Sequence, residues 1–192
     1  MSRVLTLASA SPRRRQLLEM LGIPIAVKPA HIPEVPAPGE APEAYAARLA
    51  REKAASVAGD WVLGADTTVV LDHHLLEKPA DAGDALRMLS LLQGRTHDVV
   101  TAVALVADGR TRERIDVTRV TFRPADEAYL RAYVATGEPM DKAGAYGIQG
   151  YGAALVERVE GDFFGVMGLP VRLVLELMAE AGWPYAFGRK DG

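Results

Sequence analysis

The sequence has no cysteine. That absence excludes disulfides, thiolate metal sites and a cysteine nucleophile, and it fits a reducing compartment. Aromatic residues make up only 6% of the chain, which leaves no platform for stacking unpaired bases. Nor is there a basic excess: the formal net charge is −3 and the isoelectric point about 5.8. With no global positive field to hold a nucleic-acid backbone, a polyanionic ligand has to be met by a local cluster. Long apolar runs are missing as well. The opening stretch MSRVLTLASASPRRRQ turns polar too early for a signal peptide or a membrane span, so a cytoplasmic protein with no membrane partner is expected. There is also no Walker A pattern, no G-x-G-x-x-G after a strand, and no Ser-His-Asp or His-x-x-x-His spacing.

What is present begins with size. A chain of 192 residues suits one large domain or two small lobes sharing a sheet, and it buries roughly 70% of its unfolded surface without staples. Its positive charge is nearly all arginine. Of 22 basic residues only Lys28, Lys53, Lys78, Lys142 and Lys190 are lysine, so each lysine marks a candidate position for a compact point charge.

Apolar patterning and breakers set the order of elements. Val4 to Ala8 reads as a buried strand, and Arg13 to Leu21 as a helix stopped by Gly22. A short strand from Ile25 to Lys28 leads into a proline-rich loop, Pro29 to Pro42, and a helix follows from Glu43 to Ala58. Trp61 to Ala65 is a strand, Thr68 to Leu71 continues extended, and Asp81 to Leu92 is helical. Two long strands, Thr96 to Ala107 and Arg112 to Phe122, are joined through Asp108-Gly109, a hairpin signal. Asp126 to Thr136 is a helix and Gly137 to Gly152 a glycine-rich loop. Ala153 to Val159 and Phe163 to Val166 are extended, before a last helix opened by Pro170 and ended at Gly182. Interleaved strands and helices with a hairpin among them predict a mixed α/β fold.

Several residues could carry chemistry. Ser9-Ala10-Ser11-Pro12-Arg13-Arg14 lies where a strand hands over to a helix. Free N–H groups, the helix dipole and two guanidiniums can converge there on phosphate; equally, a serine caps the helix and the arginines are solvated. Lys53 falls in the apolar stripe Ala46, Leu49, Ala50, Val57, so it either snorkels or meets a buried anion. Methionine in its place should suit that stripe and leave stability unchanged or raised. Asp66 follows the strand Trp61 to Ala65, where a carboxylate at the strand's end either serves a ligand or metal or caps a turn. Glu34 lies in a proline-flanked loop that is a lid or a linker, and Lys78 reads as a ligand contact or a solvated charge at a strand end. His97, in Gly94-Arg95-Thr96-His97, reads as part of a helix-to-strand junction; adjacent His73 and His74 diverge in a tight turn and do not suggest a metal site. The loop 141–150 sets three glycines around Lys142 and Gln149. Glycine permits close approach of a ligand and an amide can read a base edge, or the loop is structural.

The combination goes further than its parts. Leu-Ala-Ser-Ala-Ser-Pro-Arg-Arg at 7–14, Arg-Glu-Lys-Ala at 51–54, Gly-Ala-Asp-Thr at 64–67 and Glu-Lys-Pro at 77–79 occur in one chain. So do Gly-Arg-Thr-His at 94–97, Asp-Lys-Ala-Gly-Ala-Tyr-Gly-Ile-Gln-Gly at 141–150 and Val-Met-Gly-Leu-Pro at 166–170. In these segments, taken in order and almost end to end, the chain resembles the Maf family. The resemblance implies a single domain over residues 1–192: an elongated mixed sheet flanked by helices, with two lobes and a central cleft, similar to inosine triphosphate pyrophosphatases. It implies a nucleoside triphosphate pyrophosphatase that cleaves between the α- and β-phosphates and needs a divalent metal, usually Mg²⁺, with Mn²⁺ or Co²⁺ as alternatives. By motif position Ser9, Arg13, Arg14, Lys53 and Lys78 would line the phosphate path. Glu34 and Asp66 would face the metal, with Asp66, Lys53 and Lys78 as the catalytic set. One departure is Pro33-Glu34, where many members carry an acidic pair; Glu34 is the only acidic candidate at that point in the loop.

The family has a branch preferring dTTP and UTP and another preferring 7-methyl-GTP. Arg13, Thr67 and Gln149 match the pyrimidine branch, which makes Thr67 and Gln149 candidates for substrate binding. A non-catalytic nucleotide-binding regulator of septum formation is the rival reading, and the near-complete set of acidic and lysine motif residues argues against it. A homodimer and a monomer are both compatible with the sequence.

Overall fold

The computed structural model describes residues 3–187; the expectations touching Met1, Ser2 and Lys190 lie outside them. Among the described residues the chain runs β1 (Leu5–Leu7), α1 (Pro12–Met20), β2 (Ile25–Val27), α2 (Pro42–Ala55), β3 (Trp61–Leu71), β4 (His74–Leu76) and α3 (Ala82–Leu92). It continues β5 (Thr96–Ala107), β6 (Arg110–Phe122), α4 (Glu127–Val134), β7 (Val156–Glu160), α5 (Phe163–Met167) and α6 (Val171–Glu180). Seven strands form one sheet in the order β2-β1-β3-β5-β6-β7, with β4 paired to β3. β1 is parallel to β2 and β3, whereas β4 is antiparallel to β3 and β7 to β6. The sheet is mixed, as the hairpin requires.

Local chemistry explains the boundaries. Ser11, Asp81 and Asp126 cap α1, α3 and α4 with their side-chain oxygens, and Pro42 occupies the first turn of α2. Two hairpins turn on left-handed pairs, Asp72-His73 and Asp108-Gly109. His73 therefore belongs to a turn and His74 to β4.

Three expectations change. β3 is unbroken from Trp61 to Leu71, so Asp66 and Thr67 lie within a strand and not at its end. The β-branched run Thr67-Thr68-Val69-Val70 favours extension and carries the strand on through Asp66. Phe163 to Val166 is helical: the Asp162 carboxylate accepts from Phe164 N at 2.9 Å and Gly165 N at 3.1 Å, capping the turn. Ala153 to Leu155 closes a 3₁₀ turn before β7 begins.

Contacts divide the chain into two compact units. The first takes the residues up to Asp66, Thr101–Ile115 and the chain from Gly168. Its core gathers Leu5, Leu7, Leu18, Leu49, Leu63, Leu105 and Leu177, all essentially buried. Helix α2 lies directly on β3, because a Cβ on Gly64 would overlap the Ala50 carbonyl oxygen and crowd Ala54. Trp61 and Trp183 meet edge to face with centroids 5.2 Å apart, and the Arg3 guanidinium covers Trp61.

The second unit takes Thr67–Val100 and Asp116–Met167. At its centre Phe122, Tyr146 and His97 form an edge-to-face cluster. His97 is 3% exposed and shares a 2.9 Å hydrogen bond with the Tyr146 hydroxyl. This matches the structural reading of that histidine. Burial pushes its pKa down to about 4. Below the ordinary value of about 6.5, the unfolded chain takes up a proton that the native chain refuses, so stability falls as pH falls from about 6.5 toward 4. Once the native histidine also protonates, near 4, its contribution to the loss stops growing. His97→Gln is expected to flatten this part of the profile. Urea midpoints at pH 7 and pH 5 check it: an equal drop in both proteins would mean that His97 is not held neutral.

Candidate active site

The register Leu7↔Leu63 between parallel β1 and β3 sets the exit of β1, where Ser9 sits, beside the stretch leading to Asp66. Ala8 N fixes this by donating to Leu63 O at 2.9 Å. Ser9 is buried, and its Oγ accepts from Ser11 N at 3.2 Å and from Arg14 Nη1 at 3.0 Å. Ser11 is the helix cap, and Arg14 is half-buried and turns inward so that its Nε donates to Gly168 O at 2.8 Å. Burial lowers the Arg14 pKa; the Asp66 carboxylate opposes that, Arg13 adds to it and Glu34 opposes it again. A guanidinium keeps its charge throughout. Gly168 was visible in the sequence only as part of a motif, with nothing to suggest that its carbonyl anchors an arginine.

Lys53 settles the choice between snorkelling and pairing. It is 7% exposed, in the α2 stripe with Ala46, Leu49 and Ala50, while Val57 lies beyond the end of the helix. Its Nζ donates to Asp66 Oδ1 at 2.7 Å and pairs with Glu34 Oε1 at 2.6 Å. The close seating of α2 on β3 at Gly64 makes this reach short enough. The first unit thus assembles Ser9, Arg14, Glu34, Lys53 and Asp66, with Arg13 near enough to act on Arg14 electrostatically.

Among the described residues no group of three or more His, Asp or Glu side chains could hold a metal ion alone. Glu34 and Asp66 nevertheless point their carboxylate oxygens at one cation, the Lys53 ammonium. Two carboxylates are the hard-oxygen set that Mg²⁺ takes when water and substrate phosphates complete its shell. They fit a metal that arrives with a phosphorylated substrate, not one held in an all-protein cage.

The remaining candidates belong to the second unit. Thr67 follows Asp66 in β3 and is half-buried; Lys78 and Gln149 are exposed. Gly144 N donates to Glu77 O at 3.1 Å, which ties the Glu77-Lys78-Pro79 segment to the loop that carries Gln149.

A protein-family model described as Maf-like protein matches residues 4–181. The chain is 50% identical over 182 residues to a dTTP/UTP pyrophosphatase of Koribacter versatilis, covering 93% of this chain and 94% of that one. It is 54% identical over 186 residues to a dTTP/UTP pyrophosphatase of Myxococcus xanthus, covering 94% of each. A protein of the same name from Alcanivorax borkumensis is 49% identical over 188 residues, 95% of this chain and 97% of its own.

Proposed function

We propose that this chain, which belongs to the Maf family, is a hydrolase that converts dTTP and UTP to the monophosphate and pyrophosphate. The observation that carries the proposal is the buried Lys53 ammonium held between Glu34 and Asp66, in a unit that also gathers Ser9 and Arg14. Relatives named for this activity share about half their residues with it over more than nine-tenths of its length, which supports the same reading.

The chemistry follows from charge. A triphosphate carries nearly four negative charges, and a cation at about 4 Å contributes roughly 4 kcal/mol of gross attraction at an effective dielectric of about 20. Arg13, Arg14 and Lys53 bring three positive charges against the two of Glu34 and Asp66. A surplus of one cannot balance the substrate, so Lys78 and a divalent metal, Mg²⁺ foremost, enter the proposal as well. Glu34 and Asp66 would hold the metal, which supplies charge neutralisation and a more acidic water. Ser9 and the two arginines orient the phosphates. Lys53 engages Oδ1 of Asp66 and fixes the carboxylate, whose second oxygen serves the attacking water as base or as metal ligand. Phosphoanhydride hydrolysis needs this alignment and charge stabilisation, not a protein nucleophile. The action is placed in the cytoplasm, where the nucleotide pool is.

Specificity is assigned to Gln149, with Arg13 and Thr67 as further substrate contacts. Its amide offers a donor and an acceptor, complementing a carbonyl and the N3–H of uracil or thymine. Cytosine presents the reverse pattern, and polar groups covered by the bound base but left unpaired cost about 1–3 kcal/mol. Pyrophosphate release is expected to be well above that for CTP, ATP, GTP and 7-methyl-GTP when dTTP or UTP is supplied. Gln149→Leu should erase much of the preference and spare phosphate binding. A wild-type preference for 7-methyl-GTP would remove the pyrimidine assignment, and a chain that binds nucleotides without releasing pyrophosphate would be a regulator instead.

A further inference from the structure

The segment that carries Gln149 is tied to the carboxylate of Glu138. Glu138 begins the 3₁₀ turn that follows α4, and its side chain reaches into the backbone of residues 147–152. Oε1 accepts from Gly152 N at 2.9 Å and from the Tyr133 hydroxyl at 2.9 Å, and Oε2 accepts from Tyr151 N at 2.7 Å. The Tyr133 oxygen in turn accepts from Gly147 N at 3.2 Å. Backbone N–H groups before and after Gln149 are therefore tied to one Glu–Tyr pair.

The glycines serve this clamp. A Cβ on Gly150 would overlap Glu138 Oε2, and one on Gly152 would lie 2.6 Å from Gly147 O and 2.8 Å from the Tyr133 hydroxyl. The close approach that glycine permits here is to the side chains of Glu138 and Tyr133. Burial would raise the Glu138 pKa, but the N–H groups of Gly152 and Tyr151, the Tyr133 hydroxyl and the Lys142 charge outweigh it and hold the carboxyl below its ordinary range. The acceptor stays ionised, as a carboxylate receiving three hydrogen bonds should.

Gln149 itself is exposed and lies one residue from Gly150 and two from Gly147. An amide that distinguishes two pyrimidines has to be aimed to within about half an ångström, and a glycine-rich segment does not aim itself. We propose that Glu138 and Tyr133 are positioning residues for base recognition, their clamp on both sides of Gln149 setting the direction of its amide. This rests on the reading that Gln149 meets the base.

The test compares wild type, Gln149→Leu, Glu138→Gln and Tyr133→Phe by pyrophosphate release from dTTP and CTP, with melting temperatures alongside. Glu138→Gln replaces an acceptor-only group with an amide that presents a donor to backbone donors, and should lower the dTTP-over-CTP ratio of kcat/KM by about tenfold. The loss should fall on KM for dTTP and little on that for CTP. Tyr133→Phe removes one oxygen and keeps the ring, and should lower the ratio by about threefold. If Glu138→Gln does not fold, Tyr133→Phe decides by the same ratio. Equal losses for both nucleotides mean a structural role only and overturn the proposal. An unchanged ratio beside a lowered one in Gln149→Leu overturns the clamp alone. A ratio unchanged in Gln149→Leu removes the base contact, and the clamp's role in recognition with it.

Discussion

Asp66→Asn is expected to lower kcat by about 10²–10⁴-fold, while the chain keeps its fold. Asp66 is 6% exposed and in the middle of β3, so an isosteric amide is the change that alters charge with least disturbance of packing. Lys53 would still have Glu34 at 2.6 Å. The stability cost should therefore stay below the roughly 3–5 kcal/mol that follows when a buried charge loses its only partner. Pyrophosphate release and urea unfolding on the same preparation separate the two effects. Near-normal turnover with an unchanged metal requirement would remove Asp66 from the reaction.

Lys53→Met should both abolish turnover and destabilise the protein by roughly 3 kcal/mol near neutral pH. From the stripe of Leu49 and Ala50, methionine looks harmless or favourable; the geometry reverses this. Asp66, with a side chain only 9% exposed, would lose its ammonium partner and be left a buried carboxylate. Glu34, at 38% exposed, can recover solvent. The double variant Lys53→Met, Asp66→Asn should therefore regain most of the lost stability without regaining activity, a coupling that a thermodynamic cycle reads directly. A Lys53→Met chain as stable as wild type would instead mean that the buried pair contributes no net stability.

These two residues also mark how far a sequence can be read. Lys53 stood out because charge in an apolar helical stripe is a local pattern. Its anion was not legible, since Asp66 lies 13 residues on in another element and Glu34 in a loop without periodicity. Asp66 is legible as a carboxylate after an apolar strand, but the strand continues through it to Leu71, and Gly64 lets α2 settle onto β3. Phe163 to Val166 has no period to choose between strand and helix, and the Asp162 cap decides it. Most strands and helices were legible because apolar period, capping side chains and turn pairs act within a few residues. Glu138 left no signal at all. Its partners are backbone N–H groups, which any sequence has, and the glycines that make room for it look the same as glycines that make room for a ligand.

The paired tryptophans have a practical consequence. Trp61 and Trp183 are the only two in the chain, and both belong to the first unit. Their quenching and spectral shift on denaturation follow the packing around that pair, whereas the second unit contributes tyrosines, among them Tyr133 and Tyr146. An intrinsic-fluorescence melt excited at the indole band is thus a one-unit measurement, sensitive to the environment of Lys53 and silent about the loop of Gln149. Far-UV circular dichroism averages over both units. If the two curves coincide, the chain unfolds as one cooperative system; a gap between them shows that the two units do not unfold in a single step.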